Sequence, residues 1–262
     1  MANPFKTLIN FTSEQLADNL YVLKSERSNT NVGVFIGQEY IVLIDPVVGK
    51  ANNSVLVSAI QAFSDKPIKY VINTHSHPDH NGANAFYIER GATIILHTNL
   101  AADNQTAFQA DYSLDLGNET INLFSFVSHS KDDVIIQFVN SNVIFMGDTY
   151  MHNIYPHAYV GGSAGLYRVI DKTLTMTDDD SKIITAHGSF VTTKPEFLNF
   201  QKNAKAWYQR INQLKDEMTI EEIAMDEKLI AISKSFRDLS MPNLKQRLIR
   251  TIHTERAILN GL

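Results

Sequence analysis

The chain has 262 residues, no cysteine and a formal net charge of −5. A chain of this length suits one α/β domain or two tightly joined halves, and it can bury a large core without cross-links. The missing cysteines exclude disulfides and thiolate metal ligands, and the mildly acidic charge argues against a protein that follows nucleic-acid backbones.

The N-terminal segment, residues 1–6, has no apolar region of the length found in signal peptides. No apolar stretch of the sequence is long enough to span a bilayer, so no membrane partner is expected. For the chain as given we expect a cytoplasmic location, and a periplasmic or secreted one if a leader has been removed.

Apolar and β-branched runs predict strands and helical spacing predicts helices in two successive halves. In the first half the predicted strands are 20–23, 32–36, 40–44, 68–73 and 92–96, with helices at 52–63 and 82–90. In the second half the predicted strands are 121–127, 134–139, 143–146 and, as the last, 183–185, with a helix at 165–176. The segment between Leu96 and Ile121 is expected to overhang the functional site.

After Pro195 the pattern changes to helices. Apolar side chains follow at helical spacing from Phe197 to Ile211, and Thr219 is typical of a helix N-cap. The basic, amphipathic segment 243–258 has two interpretations, a membrane-binding helix or a packed helix with a charged outer face. Its mixed acidic and basic residues favour the packed helix.

The most informative motif is the run from His75 to His80, which places three imidazoles and the carboxylate of Asp79 within six residues after a predicted strand. Imidazole and carboxylate groups are ligands for zinc and similar divalent ions. A solvated polar loop is the alternative interpretation. His129, Asp148 and His187 count against it, because each also lies at or near a predicted strand end. So many ligand-type residues indicate two metal ions rather than one.

These motifs, with Asp45 at the end of a predicted strand pair, resemble the ordered motifs of the metallo-β-lactamase superfamily from about Asn19 to Gly188. The segment from Gly147 to Ser163 is similar to a group of bacterial β-lactamase-like hydrolases. The resemblance implies an α/β fold, a four-layer αββα sandwich with metal ions at the seam. It also implies a metallo-β-lactamase-like domain at 1–195 and, at 196–262, a helical C-terminal extension packed on it.

The resemblance also implies a ligand set. The first metal would be held by His75, His77 and His129, the second by Asp79, His80 and His187, and Asp148 would bridge both. A water between two ions has a pKa lowered toward about 7, so a metal-bridging hydroxide exists at neutral pH. Asp148 as the bridge and Asp79 as a group that orients the hydroxide or carries a proton are the expected catalytic residues.

Two departures from the patterns of related families narrow the range of expected reactions. Most true metallo-β-lactamases carry Cys or Ser where Asp148 stands, so this position resembles glyoxalase II, lactonases and phosphodiesterases more closely. Flavodiiron oxygen reductases carry Glu where this chain has His77, which favours zinc hydrolysis over diiron redox chemistry. Two zinc ions are expected, although iron or manganese also suit these ligands.

Residues that follow Asp148 are candidates for the substrate cleft. Glycines permit close approach of a ligand and phenols donate hydrogen bonds to a developing oxyanion. The candidates are Tyr150, His152, Tyr155, His157, Gly162 and Ser163. His97 and His253 are expected to be structural.

The expected function is a zinc-dependent hydrolase that cleaves an ester, lactone, thioester or amide bond of a small molecule. A phosphodiester hydrolase is the first alternative, and the acidic charge with no basic patch disfavours it. A non-catalytic binding protein on the same fold is the second alternative, and the complete ligand set argues against it. The sequence leaves the substrate and the oligomeric state open.

Overall fold

Two β-sheets lie face to face in the computed structural model, which describes residues 5, 11–25, 29–62, 64–97, 105–236 and 241–259. The first sheet holds seven strands in chain order: β1 (Phe11–Ala17), β2 (Leu20–Ser25), β3 (Asn31–Ile36), β4 (Ile41–Ile44), β5 (Ile68–Ile72), β6 (Thr93–His97) and β7 (Gln105–Phe108). The second holds six: β8 (Tyr112–Asp115), β9 (Thr120–Phe126), β10 (Asp133–Phe138), β11 (Val143–Phe145), β12 (Lys182–Ile184) and β13 (Val191–Thr192), in the order β13-β12-β11-β10-β9-β8.

The helices cover the outer faces of the two sheets. In chain order they are α1 (Lys50–Gln61), α2 (Pro78–Asn81), α3 (Asn84–Ile88), α4 (Gly162–Met176), α5 (Lys194–Leu214), α6 (Ile220–Ala224), α7 (Glu227–Ser233) and α8 (Met241–Leu259). Leu56 and Tyr87 pack on the outer face of the first sheet, and Leu166 and Trp207 pack on that of the second. A third core, which includes Ile72 and Ile136, fills the space between the sheets. The predicted four-layer α/β sandwich is therefore confirmed.

Sheet topology explains why the ligand-type residues meet. β4, β5, β6 and β7 pair in parallel in the first sheet, and β11 pairs in parallel with β12 in the second. The carboxyl ends of parallel neighbours lie at the same edge of a sheet, where α/β folds bind ligands. Thr74 follows β5, and its carbonyl accepts a hydrogen bond from the amide of Val134 at 2.7 Å. This bond joins the two sheets at that edge.

The predicted helix over 82–90 is wrong in its boundaries. The segment forms two short helices, α2 and α3, and α2 begins inside the metal-binding motif with His77 as its N-cap and Pro78 in the first turn. A proline at this position removes an amide that has no helical partner, so it starts a helix easily. The predicted helix over 52–63 becomes α1, and Phe63 lies outside the described residues.

Four strands were not predicted from the sequence: β1, β7, β8 and β13. β1 and β8 are edge strands whose outer side chains are polar, so they lack the apolar runs that identified the inner strands. β13 follows the strand that was expected to be the last. The described part of the segment between Leu96 and Ile121 forms β7 and β8 at sheet edges, and the expectation that the segment overhangs the site stays a prediction, since residues 98–104 lie outside the described residues.

The C-terminal helices share one core with the second sheet. Phe197, Trp207 and Leu248 belong to the same buried cluster as Ile135 and Ile183. A capping box of Thr193 and Glu196 begins α5, so the expected division at 195/196 falls within the first turn of this helix and stays a prediction. In the part of the chain that the structure describes, no helix is both long and apolar enough to cross a membrane.

Candidate metal centre

Four side chains form a first cluster at the seam between the sheets. His75, His77, His129 and Asp148 each offer one ligand atom, and these atoms lie within 4.8 Å of one another. The Nε2 atoms of His75 and His129 lie 3.0 and 3.1 Å from Nδ1 of His77. Tetrahedral zinc with bonds of about 2.0–2.1 Å would separate its ligand nitrogens by about 3.3 Å. The three imidazoles therefore have nearly the spacing that one such ion requires.

A second cluster consists of Asp79, His80 and His187, whose ligand atoms also lie within 4.8 Å of one another. Asp148 connects it to the first cluster. Its Oδ1 lies 3.5 Å from Nε2 of His80 and 3.2 Å from Nε2 of His187. Its Oδ2 lies 3.4 Å from Nε2 of His129. One carboxylate thus presents one oxygen to each group of imidazoles.

Backbone geometry places Asp148 between the clusters. The preceding residue, Gly147, has a φ of +53°, and a Cβ there would lie 2.8 Å from Cβ of Thr74. Glycine adopts this conformation without a steric penalty and permits the close approach. The end of β11 therefore packs directly against the residue that precedes His75.

Three of the imidazoles are oriented through Nδ1, which leaves Nε2 directed at the centre. Each Nδ1 is bonded at 2.8–2.9 Å, in His80 to the carboxylate of Asp45, in His129 to the carbonyl of His157 and in His187 to the carbonyl of Asn29. A hydrogen bond at one ring nitrogen fixes the tautomer and leaves the other nitrogen unprotonated for a metal. Metal-binding histidines in proteins commonly have such a carboxylate or carbonyl partner at their other ring nitrogen.

The charges at the site are strongly coupled. Burial opposes ionisation of Asp148, but the close contacts of its carboxylate with His187 and His80, and their positive charge, hold its pKa well below the usual range. Burial likewise opposes protonation of His80, and the carboxylates of Asp45 and Asp148 outweigh it and raise the pKa of His80 to about 10. Burial, together with the charge of His80, lowers the pKa of His75 to about 2. The cluster thus concentrates negative charge on Asp148 and keeps His75 neutral, while His80 carries a positive charge whose place a bound cation would take.

Two buried atoms at the centre test whether metal ions fit these residues. Nε2 of His80 and Oδ1 of Asp148 are fully buried and have no hydrogen-bond partner among the described residues. Buried polar atoms in proteins nearly always have a partner, because an unsatisfied one costs free energy. A cation between these two atoms would satisfy both. The residues present therefore fit a bound metal ion.

The loop that carries His129 is held by Asp133. Its carboxylate accepts hydrogen bonds from the amides of Ser128 and Ser130 at 3.0 Å and from the Ser130 hydroxyl at 2.7 Å. The carbonyl of Ser128 accepts hydrogen bonds from the amides of Val160 and Gly161. This loop is therefore fixed both to β10 and to the segment that begins α4.

Gly162 and Ser163, two of the expected cleft residues, lie against helix α8 instead. The Glu255 carboxylate accepts hydrogen bonds from the Ser163 amide at 2.6 Å, from its hydroxyl at 2.8 Å and from Nδ2 of Asn212 at 2.7 Å. A Cβ on Gly162 would lie 2.5 Å from Oε1 of Glu255. The glycine thus allows α4 to pack against α8, and both residues serve this helix contact.

Tyr150 and Tyr155 are buried in the core of the second sheet. Tyr150 is 1 % exposed and its ring packs against Phe197 and Phe200 of α5. Tyr155 is 2 % exposed and packs against Trp207 and Phe236. Their rings stabilise the contact with the C-terminal helices, and this location differs from the cleft position expected from the sequence.

His152 and His157 lie in different surroundings. His152 is half-buried, with Nδ1 3.3 Å from the phenol oxygen of Tyr150 and Nε2 3.8 Å from Glu196. The His157 ring stacks at 28° on that of His129, with a centroid separation of 6.1 Å. Burial and the positive charge of Arg247 lower the pKa of His157 to about 3. Of the expected cleft residues, His157 is thus the one that contacts the first cluster, through His129.

Two residues near the cluster were not singled out in the sequence. Tyr159 has its ring centroid 5.8 Å from that of His129, and Arg247 of α8 donates a hydrogen bond to its phenol oxygen. These residues are 88 positions apart, so no local spacing connects them. The two histidines expected to be structural, His97 and His253, lie in β6 and α8 and belong to neither cluster.

Comparison of the sequence with family profiles gives one match, to the metallo-beta-lactamase superfamily, over residues 26–163. The matched region contains just over half of the chain and includes every residue of the two clusters except His187.

The fold is similar to solved structures of low sequence identity. The metallo-beta-lactamase IND-7 is 17% identical and covers 74% of this chain and 98% of its own, with a TM-score of 0.61. A metallo-beta-lactamase from Pontibacter korlensis is 15% identical, covers 74% and 99%, and has a TM-score of 0.62. ETHE1 from Myxococcus xanthus is 18% identical, covers 88% and 98%, and has a TM-score of 0.57. At these identities the similarity concerns the fold alone.

Proposed function

Because this chain belongs to the metallo-beta-lactamase superfamily and is a metal-dependent hydrolase of that family, we propose that it holds two zinc ions and cleaves a carbonyl bond. The bond is that of an ester, lactone, thioester or amide in a small molecule. The observation that carries the proposal is the position of Asp148, which presents one oxygen to each imidazole group. In two-metal hydrolases a carboxylate of this kind spans ions about 3.5–4 Å apart.

The proposed ligands are those expected from the sequence. His75, His77 and His129 would hold the first ion, Asp79, His80 and His187 the second, and Asp148 both. When bound, two zinc ions supply Lewis acidity and lower the pKa of water toward neutrality. The all-nitrogen and oxygen ligand set also suits iron and manganese, so metal identity belongs to the proposal.

The residues of the chain define an open and a closed side of the centre. The side chain of Asp79 is 56% exposed, whereas that of His80 is fully buried. His77 is also exposed. Substrate would therefore approach from the side of Asp79 and His77. Asp79, with an oxygen 3.4 Å from Nε2 of His187, is placed to accept and release a proton at this open side.

The first expected result concerns metal content. After reconstitution with excess zinc and removal of unbound metal, the protein should contain about two zinc ions per chain, because two sets of ligand atoms lie within 4.8 Å. Elemental analysis against protein concentration measures this ratio. A ratio that stays below one would contradict the dinuclear assignment.

The second expected result concerns the bond that is cleaved. An oxygen and nitrogen site without thiolate is a hard site, which suits the oxygen of a substrate carbonyl. We therefore expect esters, lactones or thioesters to be cleaved at least as efficiently as β-lactams, and phosphodiesters less efficiently because the chain is acidic.

A panel on the zinc-loaded protein tests this order through kcat/KM, which reports transition-state stabilisation. It contains esters, lactones, thioesters, nitrocefin, a carbapenem and bis-p-nitrophenyl phosphate. A β-lactam that exceeds every ester and lactone by orders of magnitude would reverse the ranking. A phosphodiester that exceeds them would favour the first alternative function, and zinc binding without any turnover would favour a binding protein.

A further inference from the structure

A cavity of about 440 Å³ lies on the outer side of the first sheet, between the end of α1 and helix α3. Its lining includes Val57 of α1, Tyr87 of α3, Ile68 at the start of β5 and Ala92 just before β6. The metal-binding motif follows the other end of β5. This strand has five residues and is therefore about 16 Å long, so the cavity is separate from the metal centre.

The walls of this cavity are mostly apolar. Val57 and Ile68 are half-buried, Ala92 is buried, and Pro67 adds a further apolar ring. Sites for small molecules are typically clefts of about 300–1,000 Å³ that combine apolar walls with a few polar groups. The cavity has this size and composition, so it suits a small and largely apolar molecule.

The phenol of Tyr87 is the polar group that packing does not explain. Tyr87 is 0% exposed, and its phenol oxygen has no hydrogen-bond partner among the described residues. An unsatisfied buried hydroxyl costs free energy, and phenylalanine would fill nearly the same space without this cost. Burial raises the pKa of Tyr87, so the phenol keeps its proton at neutral pH and can donate it. A buried hydrogen-bond donor is therefore available at this cavity.

The charged side chains at the mouth of the cavity already have partners. Nζ of Lys66 donates a hydrogen bond to the carbonyl of Gly37 at 2.8 Å. Nη1 of Arg90 donates to the carbonyl of Phe86 at 2.8 Å, and its guanidinium lies 3.6 Å from the centroid of the Phe86 ring. Asp65 adds a negative charge to the same lining. These contacts favour a neutral molecule over an ion.

We propose that this cavity binds a small neutral molecule with an aromatic or aliphatic body and one carbonyl oxygen, which accepts a hydrogen bond from the Tyr87 hydroxyl. The carbonyl would give the hydroxyl the partner that the protein does not supply, and the body would cover Val57 and Ile68. A phenol donates more strongly than it accepts, because its lone pair is partly delocalised into the ring, so a carbonyl is favoured over an N–H group. The site goes beyond the proposed hydrolysis and does not depend on it.

Entry of the molecule requires movement at the mouth. The phenol oxygen of Tyr87 is closed off from bulk water. Gln61 and Arg90, which also line the cavity, are exposed and have long side chains with several rotatable bonds. A ligand would reach the hydroxyl when these side chains turn outward, while the sheet and the helices keep their positions.

The first test compares two probes of nearly the same shape in nuclear magnetic resonance titrations of zinc-reconstituted protein. Acetophenone has the carbonyl oxygen, and 2-phenylpropene has a CH₂ group in its place. Both should shift the amide signals of Ile68 and Ala92, and acetophenone should bind more tightly. Tyr87→Phe should weaken acetophenone binding about threefold to tenfold, as on losing one neutral hydrogen bond, and change 2-phenylpropene binding less than about twofold.

Two further variants serve as controls. Tyr167→Phe removes the hydroxyl of a half-buried tyrosine in the separate groove between α4 and α5, and it should leave both affinities unchanged. Val57→Trp places a larger side chain in the wall of the cavity and should abolish binding of both probes. Absence of binding to wild-type protein, equal weakening of both probes in Tyr87→Phe, or binding that survives Val57→Trp would overturn the site.

The second test measures the unfolding temperature of the same proteins without a probe. Tyr87→Phe removes an unsatisfied hydroxyl and keeps the ring, so the unfolding temperature should stay the same or rise. Saturating acetophenone should then raise it more in wild-type protein than in Tyr87→Phe, because a ligand stabilises the folded state in proportion to its affinity. A decrease of more than about 3 °C in Tyr87→Phe without a probe would show that the hydroxyl has a partner within the protein and would overturn the proposal.

Discussion

Replacement of Asp148 by alanine should remove the second metal ion and reduce turnover by more than about a hundredfold. Loss of an outer partner of a metal ligand costs about 10–100-fold, and Asp148 is itself the proposed ligand to both ions. Its Oδ1 and Oδ2 lie 3.2 Å from His187 and 3.4 Å from His129. Without this carboxylate the positive charge of two ions would lack its shared counter-charge.

The fold should survive this change, because the three hydrophobic cores do not include Asp148. Zinc content, kcat/KM and the far-ultraviolet circular dichroism spectrum should be measured together. Asp171, an exposed residue of α4, provides the matched control, and Asp171→Ala should keep both zinc ions and full activity. Unchanged turnover and two zinc ions in Asp148→Ala would show that the bridge is misassigned.

The clustering of the candidate ligands could be predicted because it depends on local and topological rules. The run from His75 to His80 lies at the end of β5, and Asp148 and His187 lie beyond the ends of β11 and β12. Buried strands have a recognisable composition, and the carboxyl ends of parallel strands meet at one edge of a sheet. Residue type at a strand end therefore indicated which side chains come together.

The residues around this cluster could not be predicted in the same way. Tyr150 and Tyr155 follow Asp148 in a loop, and a tyrosine there can face either a cleft or the core. Helix α5 decides the outcome, because its Phe197 and Trp207 take up the two rings. Such packing joins segments about 50 residues apart, and no periodicity in the sequence reports it.

The charged residues around the centre could not be predicted from the sequence either. Arg247 looked like one of several basic residues on an amphipathic tail helix, for which a solvated face was the natural interpretation. Its contact with Tyr159 depends on how α8 packs against the start of α4, where Glu255 binds Ser163. The proximity of such a residue to the centre becomes visible only when the helices have been placed.

Replacement of Asp45 by asparagine should weaken metal binding at the proposed second site, although the asparagine side chain has the same shape as the aspartate it replaces. Asp45 is buried, and its Oδ2 accepts the hydrogen bond of His80 Nδ1 at 2.8 Å. Its Oδ1 accepts the amide of Thr74 at 2.8 Å. Its backbone φ of +45° is uncommon for residues other than glycine, and asparagine tolerates this conformation as well as aspartate does. The substitution therefore changes hydrogen bonding without forcing the backbone to move.

The physical reason for the loss is a change of tautomer. With Oδ1 still bonded to Thr74, the amide nitrogen of asparagine would face His80 Nδ1 and donate to it. The ring proton would then move to Nε2, the atom that lies 3.5 Å from Asp148 and is directed at the second metal. A protonated nitrogen cannot bind zinc, so we expect affinity for the second ion and kcat/KM to fall about 10–100-fold, as for other outer partners of metal ligands.

Substitution of a second buried carboxylate, Glu119, distinguishes this effect from a general loss of stability. Glu119 is 2% exposed and accepts hydrogen bonds from the amides of Asn140 and Ser141 at 2.8 and 3.0 Å. It precedes β9, at the opposite end of that strand from His129. Both Asp45→Asn and Glu119→Gln should lower the unfolding temperature of the metal-free protein, because each places an amide donor where a carboxylate oxygen accepted. Only Asp45→Asn should release zinc in a chelator titration. If the two variants retain zinc equally well, Asp45 stabilises the fold and does not control the tautomer of His80.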